Sequence, residues 1–272
     1  MDTSVRYSNL VDAKLRAVLA LRDGVIFNNR FEGSPKAGAV KVRKSGAATV
    51  AAYDKTNGAA LTSGASEWIN VPISKDVAVN EIIDNYEASA VPDGVIADRL
   101  DAAAYALANT LDADGAAELV SGGTAFGTTT ALTKSTIYET FVDAMTAQTK
   151  AGVPLDNQRF AVVNPDVYAL LLKSPEFIAA SALSDQIKQT GAIGAIAGFN
   201  VYQSTNLGAN VEAVFGHPAY ATRIKEFSVL PHVQSLDGSG KYIGACAVQG
   251  RYVYGHKVSD AEAILVKKSA AG

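Results

Sequence analysis

Leu10, Val11, Leu15, Val18 and Leu19 recur at helical spacing with Asp12, Lys14, Arg16 and Arg22 between them, and Asp23-Gly24 supplies a stop. This predicts an amphipathic N-terminal helix, either packed on its own domain or reaching to a partner as an arm. From Gly33 the period shortens to two. AVKVRK sets Val40 and Val42 on one face and Lys41 and Arg43 on the other, and ATVAAY follows Ser45-Gly46 as a further strand-like run. WINVPI places Ile69, Val71 and Ile73 opposite Trp68, Asn70 and Pro72. The polar, glycine-bearing DKTNGAALTSGASE between these runs predicts a long hairpin. Large apolar residues are too sparse between Gly33 and Glu67 to form a core, so the hairpin must lie on another surface or protrude.

Val91 to Gly123 carries the strongest helical pattern, opened by Pro92 and Asp93 and closed by Gly122-Gly123, with a stripe of Ile96, Leu100, Ala103, Leu107 and Leu111. A helix from about Asp93 to Val120 would run about 40 Å. Gly115 inside it reads as a kink or break, at about 1 kcal/mol relative to alanine. The next helix starts at Thr136, where TIYE reads as a capping box with Glu139, and ends at Ala151-Gly152. Phe160 to Val163 predicts a short buried strand, followed by a helix with Asn164 as N-cap and Pro165 in its first turn. GAIGAIAGFNVYQSTNL reads as a glycine-spaced turn on Gly191, Gly194 and Gly198 feeding a strand from Phe199 to Gln203. Further strand-like runs lie at Tyr242 to Val248, Arg251 to Tyr254 and Ile264 to Val266. The class is α+β without regular βαβ alternation.

Composition narrows the function. The 272 residues suffice to bury nearly three quarters of the open chain's surface, on the order of 41,000 Å². A formal charge of −3 provides no global positive field for nucleic acid, so any such contact is local. No run reaches the ~18 apolar residues of a membrane helix. The N-terminal stretch lacks a small-residue cleavage site, which predicts a protein cytosolic when made.

Motifs for chemistry do not emerge. Gly191, Gly194 and Gly198 match neither the dinucleotide fingerprint nor a phosphate loop. There is no GxSxG or HExxH, and His217, His232 and His256 lack ligand-like partners at helical spacing, so each reads as structural or exposed. Cys246 in GACAV reads as a buried, inert thiol. The carboxylate pairs Asp112/Asp114 and Glu81/Asp84 read as solvated faces. An enzyme is disfavoured, and no catalytic, cofactor-binding or metal residue is assigned. Lys36, Lys41, Arg43 and Lys44 form either a solvated hairpin face or a set of ion-pair donors to another chain.

The order of these parts resembles the major capsid proteins of tailed bacteriophages, a fold shared with herpesvirus capsid proteins and encapsulins. The resemblance rests first on VVNPDVYALLLKSPEF followed by the turn in which Gly191, Ile193, Gly194, Ile196, Gly198, Phe199, Val201, Ser204 and Asn206 match the recurrent pattern. It rests second on the hairpin, its returning strand and the alanine-rich helix, and it spans about Gly38 to Asn206.

The resemblance implies an N-terminal arm (1–33), an extended hairpin loop (34–67) and a peripheral domain with a long spine helix (68–151). An axial domain (152–222) and strands returning to the peripheral domain (223–272) complete it. It further implies hexamers and pentamers in an icosahedral shell around double-stranded DNA. The hairpin would reach over an adjacent copy, with Lys36, Lys41, Arg43, Lys44 and Trp68 as contact candidates, and Asn164, Pro165 and the three glycines as structural turns. About 30 residues precede the hairpin, so scaffolding, like the portal, would be a separate protein. The place would be the virion capsid, assembled in a bacterial cytoplasm without a membrane. An encapsulin-like compartment, or an α+β enzyme or ligand-binding protein with a scattered site, is the alternative.

Overall fold

The computed structural model describes residues 21–28, 38–45, 50–56, 58, 66–85, 95–174 and 194–270. The N-terminal helix, Lys36, Gly191 and the start of the spine helix lie outside them.

Strands β1 (Ala39–Ser45) and β2 (Ser66–Pro72) pair antiparallel from Ala39↔Pro72 to Ser45↔Ser66, the expected hairpin. The ATVAAY run is not a strand where it is described: Val50 to Tyr53 form an exposed irregular segment entering a turn. Asp54 and Gly58 exchange backbone hydrogen bonds of 3.1 and 2.8 Å, and the Asp54 carboxylate accepts from the Thr56 N–H.

Helix α1 (Val95–Gly122) is the spine. It runs unbroken through Gly115, whose missing side chain serves packing instead of bending. A Cβ there would sit 2.8 Å from Nη2 of Arg223 and 3.1 Å from the Phe27 ring. One stretch of the helix, Leu100 to Leu111, packs on a three-stranded antiparallel sheet of β3 (Lys75–Asp84), β10 (Ala245–Val258) and β9 (Ala221–Ser235). Its last turns, with Ala116 and Leu119, enter a second core.

The runs predicted at Tyr242 to Val248 and Arg251 to Tyr254 are one strand, β10, and Tyr242 itself lies in the turn before it. Its register with β9 shifts between Gln249 and Arg251, where Gly250 faces Leu230 and Pro231. A Cβ on Gly250 would lie 3.1 Å from both Pro231 Cγ and Leu107 Cδ1, so a larger residue at the bulge would make these neighbours give by a few tenths of an ångström. Pro231 explains why β9 escapes a pattern reading, since proline demotes a strand unless an edge or a bulge absorbs its missing N–H.

The second sheet has six strands in the order β4 (Thr124–Ala125), β11 (Leu265–Lys268), β8 (Val211–Gly216), β5 (Phe160–Val163), β7 (Phe199–Gln203) and β6 (Ala195–Ile196). All four residues of β5 are buried because both faces are covered. Phe160 and Val162 face the core shared with α1, Leu21, Ile26 and Phe27, whereas Ala161 and Val163 face helices α2 (Ile137–Lys150) and α3 (Pro165–Leu172). There Phe141, Phe199 and Phe215 form an aromatic cluster with centroids 4.9 to 6.3 Å apart.

Helix α2 packs Ile137, Phe141 and Ala144 on the six-stranded sheet, and β11 pairs with β8 there. An apolar stripe says that a face is covered, not by which sheet. The capping box at Thr136 is also absent: its side chain makes no cap bond, and Thr136 Oγ1 accepts from the Thr133 N–H three residues upstream, because the helical turn begins there. At the other end Gly152 (φ +77°) closes α2, with Gly152 N–H donating to Thr149 O and Val153 N–H to Gln148 O.

Candidate intersubunit surfaces

The hairpin presents two unlike faces. In the register Val40↔Val71 and Val42↔Ile69, the apolar positions of both strands share one side. Val42 and Val71 pack with Ile224 of β9, with Val40 and Ile73 against them, and this small cluster anchors the hairpin base. The Ile73 N–H donates to Gly38 O at 2.9 Å. Gly255 of β10 lets the backbone of Pro72 pass close, since a Cβ there would stand 2.1 Å from Pro72 O.

The opposite side carries Lys41, Asn70 and Trp68, with Arg43 the register partner of Trp68. Lys41 is exposed, and Trp68, the only tryptophan of the chain, is 61% exposed. Of Arg43 and Lys44 only the backbone is described. Nearer the tip, Val50 and Tyr53 stand almost wholly in solvent. Large exposed side chains on a protruding element are how association surfaces are built, because Trp and Tyr add contact area at low entropic cost.

A second surface is the sheet face turned away from the spine. Ile82 and Phe227 are each half exposed on it. Arg251 grips Asp76 through two hydrogen bonds of 2.8 and 2.5 Å and lies 5.9 Å from the Phe227 ring. That Arg251 hydrogen bond holds the Asp76 carboxyl below its usual range.

The expected turn residues separate. Asn164 caps α3 by accepting from the Val167 N–H at 2.8 Å, with Pro165 in the first turn. Gly198 (φ +81°) follows Ala197 (φ +45°) in the two-residue turn between β6 and β7, a conformation that glycine adopts freely and alanine does not. Gly194 needs no such freedom: its φ is ordinary and open space surrounds it.

Two buried arginines that pattern reading missed hold the frame. Arg159 is fully buried and donates to Pro154 O, Val153 O, Met145 O and Thr149 Oγ1, at the carbonyl-rich end of α2. Arg223 donates to Leu21 O, Asp23 Oδ1 and His256 Nε2, and lies 4.3 Å over the Phe27 ring, so it ties the segment 21–28 to β9, β10 and the spine. Its neighbour His256 is pushed down to about 2, first by burial and then by Arg223, Lys225 and Lys75. Tyr254 donates to Asp114 and is pushed far above its ordinary value, first by burial. Nothing in a lone arginine of an alternating run announces such a role.

Pairings of potential chemical interest are structural here. His217 Nδ1 accepts from the Ala219 N–H and Nε2 bonds Asp156 at 3.0 Å. Glu212 accepts from the Leu132 N–H at 2.8 Å, and the buried Lys267 donates to Thr128 O and Thr130 O. Cys246 is buried in β10, and burial pushes its thiol up. Among the described residues no group of His, Cys, Asp and Glu is placed to hold a metal ion. A cleft of about 200 Å³ between Tyr105, Asn109 and Gln203 to Asn206 falls below the ~300 Å³ of small-molecule sites. No helix among the described residues is long and apolar enough to cross a membrane.

Comparison with known proteins agrees with this picture. The chain is similar in structure to a Mycobacterium phage Che8 protein, at TM-score 0.74 and 23% identity over 89% of this chain and 88% of that one. The capsid of Cyanophage P-SCSP1u matches at TM-score 0.70 and 14% identity, over 86% and 84%. A virus-like particle from Pyrococcus furiosus matches at TM-score 0.57 and 14% identity, over 98% and 100%. No curated protein matches. The fold is that of the tailed-phage major capsid proteins. Residues 77–266, more than half of the chain, match the phage capsid protein model, so the chain belongs to that family and is a structural subunit of a capsid shell.

Proposed function

We propose that this subunit assembles with copies of itself as hexamers and pentamers into an icosahedral shell enclosing double-stranded DNA, and that it carries no catalytic role. The spine and three-stranded sheet form the peripheral unit, the six-stranded sheet with α2 and α3 forms the axial unit, and the hairpin reaches over a neighbour. Lys36, Lys41, Arg43, Lys44 and Trp68 make the contact, while Asn164, Pro165 and the turn at Gly198 keep the axial unit in shape. Separate scaffolding and portal proteins serve assembly in the bacterial cytoplasm, and DNA contacts are local and non-specific, as a formal charge of −3 requires.

The observation that carries this reading is the hairpin: anchored at its base by a small apolar cluster, it holds an exposed tryptophan away from its own cores. Repeated over many copies, such contacts sum to a stable shell. Electron microscopy of the purified chain should show shells or rings of subunits. Deleting Pro35 to Ser66 should leave a folded subunit that no longer assembles. Normal shells from the deletion variant would remove the hairpin from the contact network, and copurification of a cargo enzyme in place of DNA would favour an encapsulin-like compartment.

A further inference from the structure

Residues 21–28 form a short turn seated against the spine and the start of β9, and one buried cation binds three of them. Leu21, Ile26 and Phe27 are fully buried in the second core. The Asn28 N–H donates to Ala221 O at 2.8 Å, and the Arg223 N–H donates back to Asn28 O. The Arg223 guanidinium spans the rest of the turn: Nη1 donates to Leu21 O at 2.9 Å and to Asp23 Oδ1 at 3.0 Å, and the Phe27 ring lies 4.3 Å from it. Its Nε donates to His256 Nε2 at 2.8 Å. In sequence the turn is where the chain ahead of the hairpin enters the second core.

The seat is incompletely satisfied. Arg223 Nη2, Asn28 Oδ1 and Thr222 Oγ1 are buried without a hydrogen-bond partner among the described residues, and Asn28 and Thr222 are paired in a β-bridge. Nη2 lies against the hollow at Gly115, where a Cβ would stand 2.8 Å away. Folded proteins leave few such atoms, and three in one place mark a network that opens readily. Arg223 therefore has no spare acceptor, and its Nε depends on the lone pair of His256. A proton on that nitrogen removes the acceptor and sets two cations 2.8 Å apart. Around the ring stand Arg223 and Lys225 of β9 and Lys75 of β3, with Tyr254 of β10 at 5.3 Å. The nearby carboxylates are already engaged: Asp23 of the turn bonds Arg223 and Lys225, Asp114 of the spine bonds Lys75 and Tyr254, and Asp112 of the spine acts on Arg223.

We propose that His256 and Arg223 form a proton-operated latch: protonation of His256 detaches Arg223 and undocks residues 21–28 from the second core while the spine and both sheets stay folded. The latch belongs to the single subunit and does not depend on assembly. In the docked state the ring is held down at about 2, first by burial and then by Arg223, Lys225 and Lys75, whereas undocking returns it toward 6.5. Opening thus binds a proton, so acid favours it. The latch is fully closed above about pH 6.5, and below that its opening grows about tenfold per pH unit, reaching about thirtyfold at pH 5.

Amide hydrogen exchange of the free, full-length subunit at pH 7.5 and pH 5, corrected for the intrinsic pH dependence of exchange, tests the latch. The amides of Gly24, Ile26 and Asn28, each bonded in the docked turn, should exchange at least tenfold faster than the buried amides of the spine at both pH values. Their opening should rise about thirtyfold at pH 5. In His256→Gln, which keeps an acceptor for Arg223, that rise should vanish while the gap to the spine remains. Turn amides that exchange only as fast as the spine overturn the latch, because the turn then opens only with the whole fold. Opening that does not change with pH in the wild-type chain overturns it as well, and this result stands even if the variant fails to fold. A pH dependence that survives in folded His256→Gln assigns the proton to another group and overturns it too.

Discussion

At the scale of single residues, space and charge compete with propensity. Alanine at Gly115 gains about 1 kcal/mol of helix propensity, yet its Cβ would displace the buried guanidinium of Arg223. An orphaned buried donor costs about 1 to 3 kcal/mol and more when charged, so Gly115→Ala should lower stability by about 1 to 2 kcal/mol net in denaturant titration. His256 sets an acid limit. Its folded value near 2 lies below the ordinary 6.5, so between these pH values the unfolded chain binds the extra proton and acid favours unfolding. The stability attached to this group is complete above about pH 6.5 and falls by at most about 2 kcal/mol by pH 5. His256→Gln, which retains an acceptor for Arg223, should flatten that part of the thermal stability profile; an unchanged slope would place the acid sensitivity elsewhere. In the turn, Gly198→Val should cost about 1 to 2 kcal/mol, whereas Ala197→Asn should stabilise, because asparagine tolerates positive φ. Asn164, Pro165 and Gly198 were legible because local chemistry dictates them. Arg159 and Arg223 were not, because their acceptors come from distant segments of chain.

At the scale of elements, the hairpin depends on a glycine outside it. Gly255→Ala would drive a Cβ against Pro72 O and lift the hairpin base from Ile224. Amides of 39–45 and 66–72 should then exchange about tenfold faster while those of the spine stay protected. Equal protection in both proteins would mean that the base is held by something other than this approach. The hairpin strands, the spine and the strand–turn–helix at Asn164 follow from periodicity and caps. β9 does not, since its proline sits at a register shift opposite Gly250, a bulge that no period-two pattern announces. The assignment of α2 to its sheet was likewise invisible, as an amphipathic stripe carries no address.

At the scale of the whole molecule, one helix belongs to two cores. Leu100 to Leu111 fill the first and Ala116 with Leu119 enter the second, so neither unit is complete without the spine. Leu107→Ala should cost about 2 to 5 kcal/mol, and calorimetry should show one transition shifted as a unit. Two separated transitions would mean that the spine does not couple the cores. The single thiol bears on the chain in another way. Cys246 lies inside β10 with a raised pKa, so the folded subunit is silent toward thiol reagents. A cysteine placed on an exposed position would then be the one reactive handle per copy, and a shell of such subunits becomes a lattice addressable at a single chosen point, its labels spaced by the assembly itself.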